Sequence, residues 1–173
     1  DIDPNTFNLD PKKLQEKISP NTKAIMVVHL FGLCAPMDEI KTIAGDIPLI
    51  EDGACAAGSA YKGLPAGGLG LMGCFSFHPR KSITTGEGGM ILTNNKKIFI
   101  NISKLKNLFF GTGVNRFKHS NIGWNHRFTN VQASIGLAQL ERIKKIVEKK
   151  FSVGLYYTKK LKVLSESLTL PLT

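Results

Sequence analysis

The sequence predicts an α/β fold in which a mostly parallel sheet is flanked by helices. Short apolar segments with the character of buried strands alternate along the chain with segments that carry helix start and stop signals. The chain has 173 residues, enough for one domain with a core of its own. Its hydrophobic fraction of 42% and its charged fraction of 21% are typical of a globular protein in water.

The first predicted elements are a short helix and a strand. Asp10 and Pro11 stand before residues 12–18, in the positions that begin a helix. Residues 23–29 contain an almost continuous apolar run, which predicts a strand buried on both faces.

The next helix and strand have clearer boundaries. Pro36 and Gly45 bracket residues 37–44, so a helix is expected between them. Residues 48–51 predict a second buried strand, which ends directly on two acidic residues.

The second half of the chain completes the alternation. Residues 74–77 and 89–93 predict two further short strands, and residues 96–109 predict a helix. The last predicted helix starts at Thr129 and continues through Ile146. Its first four residues, Thr-Asn-Val-Gln, fit a capping box, in which two side chains satisfy free amides of the first turn.

The net charge of +10 raises the possibility of a nucleic-acid-binding protein. However, many lysines fall late in the chain at helical spacing, with apolar residues such as Leu140, Ile143 and Val147 on the other face. This pattern is typical of a solvated helix face, and no aromatic residues are interleaved with the lysines as base stacking requires. Nucleic acid is therefore not an expected partner.

Metal, disulfide and membrane chemistry are not expected either. The three cysteines, Cys34, Cys55 and Cys74, are scattered and odd in number, and the four histidines show no metal-binding spacing. No apolar run approaches the ~20 residues of a membrane helix, and no signal peptide opens the chain. The predicted location is the cytoplasm.

A glycine motif at residues 68–73 matches the G-x-G-x-x-G pattern of dinucleotide-binding loops. That pattern requires a strand before the glycines and a helix after them. Here the turn-forming residues 61–67 come first and the predicted strand 74–77 follows. The sequence therefore does not predict a dinucleotide site at this motif.

The block from Phe75 to Gly89 carries the main chemical signal. Lys81 follows a strand and a proline, and a run of small residues and glycines comes after it. Such a loop lets the backbone approach a ligand closely, and a desolvated lysine can attack a carbonyl to form a Schiff base. On these residues alone, a solvated loop lysine remains the alternative.

Asp52 is the second candidate because it follows a buried strand, at the edge where parallel α/β sheets bind ligands. A carboxylate there could keep a ring nitrogen protonated, as the cofactor pyridoxal 5'-phosphate (PLP) requires. Helix capping by the same side chain is the other interpretation that the sequence leaves open.

Four motifs then occur in a fixed order: His-Leu-Phe-Gly at 29–32, Glu-Asp-Gly-Ala-Cys-Ala-Ala-Gly at 51–58, the block 75–89, and the segment 123–139. Together they closely resemble the DegT/DnrJ/StrS-type family of PLP-dependent sugar aminotransferases, over nearly the whole chain. The resemblance implies the aspartate-aminotransferase fold (fold type I). It assigns residues 1–150 to the large PLP-binding domain, and residues 151–173 to a linker helix and the start of a smaller domain.

The resemblance also implies roles for individual residues. Lys81 matches the lysine that holds the cofactor and moves protons during transamination, and Asp52 matches the acid that faces the pyridine nitrogen. Ser76 matches a hydroxyl contact to the cofactor phosphate. Asn125 matches a residue that reaches the phosphate from the neighbouring subunit, which implies a homodimer with shared active sites.

One position departs from the family pattern. Many members have glutamine where this chain has Cys55, close to the hydroxyl of the cofactor ring, and a thiol does not replace an amide donor. At another position the chain follows the aminotransferases: sugar dehydratases among the relatives have histidine in place of the lysine. The presence of Lys81 therefore favours transamination.

The expected function is transfer of an amino group, with glutamate as donor, to a nucleotide-linked keto-sugar in amino-sugar and polysaccharide biosynthesis. Two alternatives remain open: another fold-type-I PLP enzyme, such as a lyase or sugar dehydratase, and a non-catalytic α/β remnant. The chain is expected to be the central fragment of a longer protein and to carry an incomplete active site.

Overall fold

The computed structural model describes residues 1–164 and 166–171. Its strands are Ile25–Val28 (β1), Leu49–Asp52 (β2), Ala60–Tyr61 (β3), Leu64–Pro65 (β4), Met72–Ser76 (β5) and Gly89–Leu92 (β6). The central four-stranded sheet has the order β1-β2-β5-β6, and β3 and β4 form a separate antiparallel pair. Both β1–β2 and β2–β5 are parallel, whereas β6 runs antiparallel to β5. The predicted α/β fold with a mostly parallel sheet is confirmed.

The helices are Pro11–Lys17 (α1), Met37–Ala44 (α2), Lys96–Leu105 (α3), Asn130–Leu140 (α4) and Ile143–Leu161 (α5). Three short 3₁₀ turns lie at Leu30–Gly32, Gly113–Asn115 and Lys162–Leu164. None of the helices in the described ranges combines the length and apolarity that crossing a membrane requires.

Local signals set the start of α1, which runs one residue earlier than predicted at both ends, and the end of α2, which agrees with the prediction. The Asp10 carboxylate accepts a hydrogen bond from the amide of Lys12 at 2.8 Å, which satisfies a free donor at the start of α1. Gly45 ends α2 with a positive φ of 54°, a backbone conformation that glycine adopts without a Cβ clash. A side-chain cap and a glycine thus mark one end of each of these helices.

The hydrophobic core lies on one face of the sheet. Alternate strand residues point into it and pack against the apolar sides of α1 and α2; its fully or nearly buried members are Leu14, Ile25, Val27, Ala35, Met37, Ile40, Ala44, Leu49 and Leu69. Because side chains alternate along a strand, the intervening residues point to the opposite face.

The prediction that the first strand is buried on both faces is wrong. Ile25 and Val27 are buried, but Met26 is 63% exposed and Val28 is 38% exposed. The strand is apolar on both sides, yet α1 and α2 cover only one of them. Burial on the second face depends on what packs there, which a single strand sequence does not specify.

The long helix predicted from Thr129 through Ile146 is two helices. The capping box is confirmed, since the side chains of Thr129 and Gln132 each accept from the other's backbone amide. The helix ends at Leu140 because Arg142 leaves helical geometry, with φ −111° and ψ 7°. The amide of Arg142 then bonds back only three residues, to the carbonyl of Gln139, at 3.0 Å. Neither glycine nor proline marks this break.

The helix predicted over residues 96–109 ends earlier, at Leu105. Its start agrees with the prediction, because the side chain of Asn95 accepts from the amides of Lys97 and Ile98. Leu108 and Phe109 have positive φ angles of 58° and 49°, which no α-helix contains.

The predicted boundary between residues 150 and 151 falls inside α5, which runs without interruption from Ile143 to Leu161. The division into two domains stays a prediction. Residues 165, 172 and 173 of the predicted C-terminal segment lie outside the described residues.

Candidate active site

An acid and a hydroxyl share one face of the sheet at its carboxyl edge. Asp52 is the last residue of β2 and lies in register with Cys74 of the parallel strand β5. Ser76 is two residues further along β5, so its side chain points to the same face as those of Asp52 and Cys74. All three side chains are half-buried. The structure therefore brings together two of the predicted site residues, Asp52 and Ser76.

The charge of Asp52 acts on its neighbour. Burial raises the pKa of the Cys74 thiol, and the nearby Asp52 carboxylate raises it further. The negative charge of a carboxylate repels a thiolate beside it and attracts a cation in the same place. This is the electrostatic property that a protonated ring nitrogen needs.

Asp52 does not cap a helix. The segment after it, residues 53–59, forms turns. One carboxylate oxygen of Asp52 accepts a hydrogen bond from the amide of Ala54 at 3.0 Å, which fixes the first of these turns. The helix-capping interpretation is therefore wrong.

Lys81 lies in a closed loop between two neighbouring strands. The loop, residues 77–88, connects β5 to the antiparallel strand β6, and the amide of Phe77 bonds to the carbonyl of Gly88 at 2.8 Å across its base. Inside it, the amide of Lys81 donates to the carbonyl of His78 at 3.0 Å. The backbone of Lys81 is thus held in a turn just beyond the end of β5.

The amine of Lys81 meets the thiol of Cys55. The distance from Nζ to Sγ is 3.3 Å, and the two residues come from the loops that follow β5 and β2. Cys55 is exposed and Lys81 is half-buried. The loops after two parallel strands therefore converge at this edge of the sheet, and they bring together a third and a fourth predicted site residue.

Asn125 lies apart from this group. The backbone around it is attached to the end of α3, since the amide of Trp124 donates to the carbonyl of Leu105 at 2.8 Å. The exposed Asn125 side chain accepts from Nε of Arg127 at 3.0 Å. Across residues 1–164 and 166–171, it makes no hydrogen bond to Asp52, Ser76 or Lys81.

The second acid at the end of β2, Glu51, has a different task that the sequence did not predict. Its side chain is fully buried on the core face, and its carboxylate accepts hydrogen bonds from the amides of Gly67, Leu69 and Gly70 at 2.5–2.6 Å. Nε2 of His29 lies 3.1 Å from the same group. The G-x-G-x-x-G segment therefore wraps an internal carboxylate and not a dinucleotide.

The tautomer of His29 follows from its contacts. Its Nδ1 accepts a hydrogen bond from the amide of Ala35 at 3.2 Å, so the proton is on Nε2 and points to Glu51. Burial by itself raises the pKa of Glu51, but the hydrogen bonds from His29 and the three loop amides outweigh it and lower the pKa below its ordinary value. Glu51 is therefore a charged, fully bonded structural group.

The glycines of this segment allow the close packing around Glu51. A Cβ on Gly73 would lie 2.3 Å from Cα of Gly67, and a Cβ on Gly70 would lie 2.6 Å from the carbonyl oxygen of Leu49. Only glycine fits at these two positions. An acid inside a buried strand, followed by closely spaced glycines, was the sequence signal for this contact.

No group of three or more histidine, cysteine or acidic side chains that could hold a metal ion occurs among the residues that the structure describes. The chemistry at the edge of the sheet is that of an amine, a carboxylate, a hydroxyl and a thiol.

Comparisons with known proteins point to one family. The whole chain, residues 1–173, matches the family model of the DegT/DnrJ/EryC1/StrS aminotransferase family. A GDP-perosamine synthase from Caulobacter vibrioides is 44% identical over 99% of this chain and 46% of its own length. The chain spans about half the length of the curated relatives it matches.

Solved structures share the fold. An aminotransferase from Psychrobacter cryohalolentis superimposes with a TM-score of 0.92 at 30% identity, over 99% of this chain and 47% of that one. A GDP-4-keto-6-deoxymannose-3-dehydratase with a trapped PLP-glutamate geminal diamine gives a TM-score of 0.88 at 32% identity, over 94% of this chain and 47% of that one.

Proposed function

Because the chain belongs to the DegT/DnrJ/EryC1/StrS aminotransferase family, we propose that it is part of a PLP-dependent enzyme that transfers an amino group to a nucleotide-linked keto-sugar. The observation that carries this proposal is the convergence of Lys81, Cys55 and Asp52 on the loops and strand ends at one edge of the sheet. The fold alone would not decide the function, since one fold serves many reactions.

The residues present fit PLP by their chemistry. Lys81 supplies a primary amine for a carbonyl carbon, Asp52 a carboxylate for a protonated ring nitrogen, and Ser76 a hydroxyl for a phosphate oxygen. Cys55 lies beside the amine, and many family members have glutamine at its position in the sequence. Asn125 is exposed, as a residue that serves a neighbouring subunit must be. We therefore assign these five residues to the cofactor site.

When bound, PLP supplies an electron sink for the bonds to the substrate carbon. Lys81 would hold the carbonyl carbon of the cofactor through its amine until the amino substrate displaces it. The freed amine would then carry a proton between the two carbon atoms that exchange it. Asp52 would stabilise the positive charge on the ring nitrogen through its carboxylate. The loop bond from Phe77 to Gly88 keeps the amine near the end of β5 while the proton moves.

The sugar substrate is proposed from the relatives. The GDP-perosamine synthase that is 44% identical favours a GDP-linked keto-sugar as the first acceptor to test. Lys81 favours transamination over dehydration, because the dehydratases of the family carry histidine at this position. Glutamate as the amino donor, a homodimer with shared sites and a cytoplasmic location complete the proposal.

The test is trapping of the cofactor in the complete gene product. The protein is incubated with PLP, reduced with borohydride, digested and mapped, and Lys81→Arg is treated in parallel as a control that keeps the charge. We expect a reduced adduct on the peptide that contains Lys81, and none in the variant. Absence of an adduct from the folded wild-type protein contradicts the proposal.

A second measurement separates an enzyme that accepts an amino group from glutamate from a lyase and from an inactive remnant. Glutamate is added to the PLP-loaded protein without any sugar, and 2-oxoglutarate is quantified. About one equivalent per site is expected from the first half of a transamination. A lyase releases a different product, and a remnant without activity releases none.

A further inference from the structure

The side chain of Gln139 in α4 is paired with the backbone of Thr84 in the lysine loop. Its Oε1 accepts from the amide of Thr84 at 3.0 Å, and its Nε2 donates to the carbonyl of Thr84 at 2.6 Å. Both polar groups of one peptide residue are thus satisfied by one side-chain amide. The two residues are 55 positions apart in the sequence.

The Gln139 side chain is itself fixed to its helix. Its Nε2 also donates to the carbonyl of Ile135, one turn earlier, at 2.9 Å. A side chain with two long-range bonds and one local bond has little rotamer freedom left. It therefore transmits the position of α4 to the loop.

Two further residues on the same face of α4 contact the loop. Gln132 donates from Nε2 to the carbonyl of Glu87 at 3.0 Å. A Cβ on Gly136 would lie 3.0 Å from Cγ2 of Thr85, so the helix backbone passes very close to the loop. Spacings of four and three residues place Gln132, Gly136 and Gln139 on one side of the helix.

Lys81 stands three residues before the point that Gln139 holds. On the other side of Thr84 the loop is tied to the end of β5, because the hydroxyl of Thr84 and the amide of Thr85 both donate to the carbonyl of Phe77, at 2.9 and 3.0 Å. The segment that carries Lys81 therefore has a fixed end, and Gln139 supplies the contact from outside the loop.

We propose that Gln139 is a positioning residue for Lys81: its amide clamps Thr84 and so sets where the lysine amine meets a carbonyl. The proposal rests on the proposed function, because it needs Lys81 to be the cofactor lysine. It differs from a packing role, since it depends on the donor Nε2 as well as on the acceptor Oε1.

The experiment compares three variants of the complete gene product. Gln139→Leu removes both bonds at similar volume. Gln139→Glu keeps an acceptor for the amide of Thr84. It loses the donor to the carbonyl of Thr84 and places a second oxygen against that carbonyl. Gln132→Glu keeps the capping box and removes only the bond to Glu87, further from the lysine.

Two readouts are taken for each variant. One is the PLP concentration that half-saturates the protein, followed by absorbance; the other is amide hydrogen exchange of residues 84–86 in the cofactor-free protein. We expect the half-saturating concentration to rise about five- to tenfold in Gln139→Leu, as loss of a half-buried hydrogen bond predicts. Exchange at Thr84 should accelerate, and Gln132→Glu should stay within about twofold of wild type in PLP binding.

Acid rescue of Gln139→Glu distinguishes positioning from a general loss of stability. The carbonyl oxygen of Thr84 disfavours an ionised carboxyl beside it, and a protonated carboxyl both donates and accepts. The ratio of variant to wild-type half-saturation should therefore decrease as the pH falls from 8 to 5. A structural role predicts instead that PLP binding follows the melting temperature equally in all three variants, with no recovery in acid.

The outcomes separate the two proposals. If wild-type protein shows no adduct on Lys81, the proposed function fails. If wild type shows the adduct and Gln139→Leu binds PLP as wild type does, the positioning role is overturned. It is also overturned if exchange at Thr84 is unchanged in Gln139→Leu.

Discussion

The amine of Lys81 donates a hydrogen bond to the thiol of Cys55, with 3.3 Å between Nζ and Sγ. Sulfur is a weak acceptor, so this bond holds the amine less firmly than an oxygen would. The two residues are 26 positions apart, and only the pairing of β2 with β5 brings their loops together.

Replacing Cys55 with glutamine should strengthen cofactor binding. The amide gives the site a donor and an oxygen acceptor in place of sulfur, so we expect half-saturation at about three- to tenfold lower PLP concentration. An absorbance titration measures the effect. Cys55→Ala is the control and should bind PLP no better than wild type; weaker binding by Cys55→Gln would contradict the placement of residue 55 at the cofactor.

Asp52→Asn should remove activity and leave the fold intact. The asparagine oxygen still accepts from the amide of Ala54, so the free energy of unfolding should change by less than about 1 kcal/mol. Loss of the negative charge should reduce the release of 2-oxoglutarate from glutamate by about 100-fold or more. Denaturant titration and a half-reaction assay give the two values.

Cys74 reports on the same substitution without any cofactor. Because the Asp52 carboxylate contributes to the raised pKa of Cys74, Asp52→Asn should lower that pKa toward its ordinary value. Alkylation of Cys74 by iodoacetamide at pH 8 should therefore be faster in the variant, as peptide mapping can show. An unchanged rate would mean that the charge of residue 52 does not reach the thiol.

Glu51→Ala should strongly destabilise the protein. The substitution leaves three loop amides and Nε2 of His29 without their acceptor in a fully buried place. Loss of this shared acceptor should lower the free energy of unfolding by about 3–5 kcal/mol, as urea denaturation can measure. Glu16→Ala is the matched control: its partner is the exposed Lys13, and its loss should cost less than about 1 kcal/mol.

Glu51 should also make stability fall in acid. Its pKa is lowered in the folded state, so its contribution is present above the pKa of the unfolded chain and is lost as the pH falls through the folded value. The free energy of unfolding of wild type should decrease below about pH 4, the ordinary range of a glutamate. Glu51→Gln should show a flatter dependence over the same range, and equal slopes would exclude Glu51 as the cause.

Local signals made part of this fold predictable. Residues 37–44 form the expected helix because Pro36 and Gly45 act on the backbone next to them. The capping box at Thr129 was readable for the same reason. The break at Arg142 was not readable, since no residue there is a helix breaker.

Candidate site residues could be predicted only where they belong to a sequence motif. Lys81, Asp52 and Ser76 stand in recognisable motifs, and the register of β2 and β5 places the last two on one face. The contacts of Glu51 with the glycine segment and of Gln139 with Thr84 join residues 16 to 55 positions apart. Such pairs follow from the packing of elements. The glycines after Glu51 were a signal for the first contact, whereas the second has no local signature.

The carboxylate of Glu51 accepts hydrogen bonds from backbone amides of the kind that bind a nucleotide phosphate in a dinucleotide-binding loop. G-x-G-x-x-G is the pattern of dinucleotide-binding loops, and a literal match by itself suggests a redox enzyme. In this protein the amides of the string are already hydrogen-bonded, because a strand of the same chain provides the anion. The buried acid in the neighbouring strand thus argues against a dinucleotide-binding assignment for this glycine string.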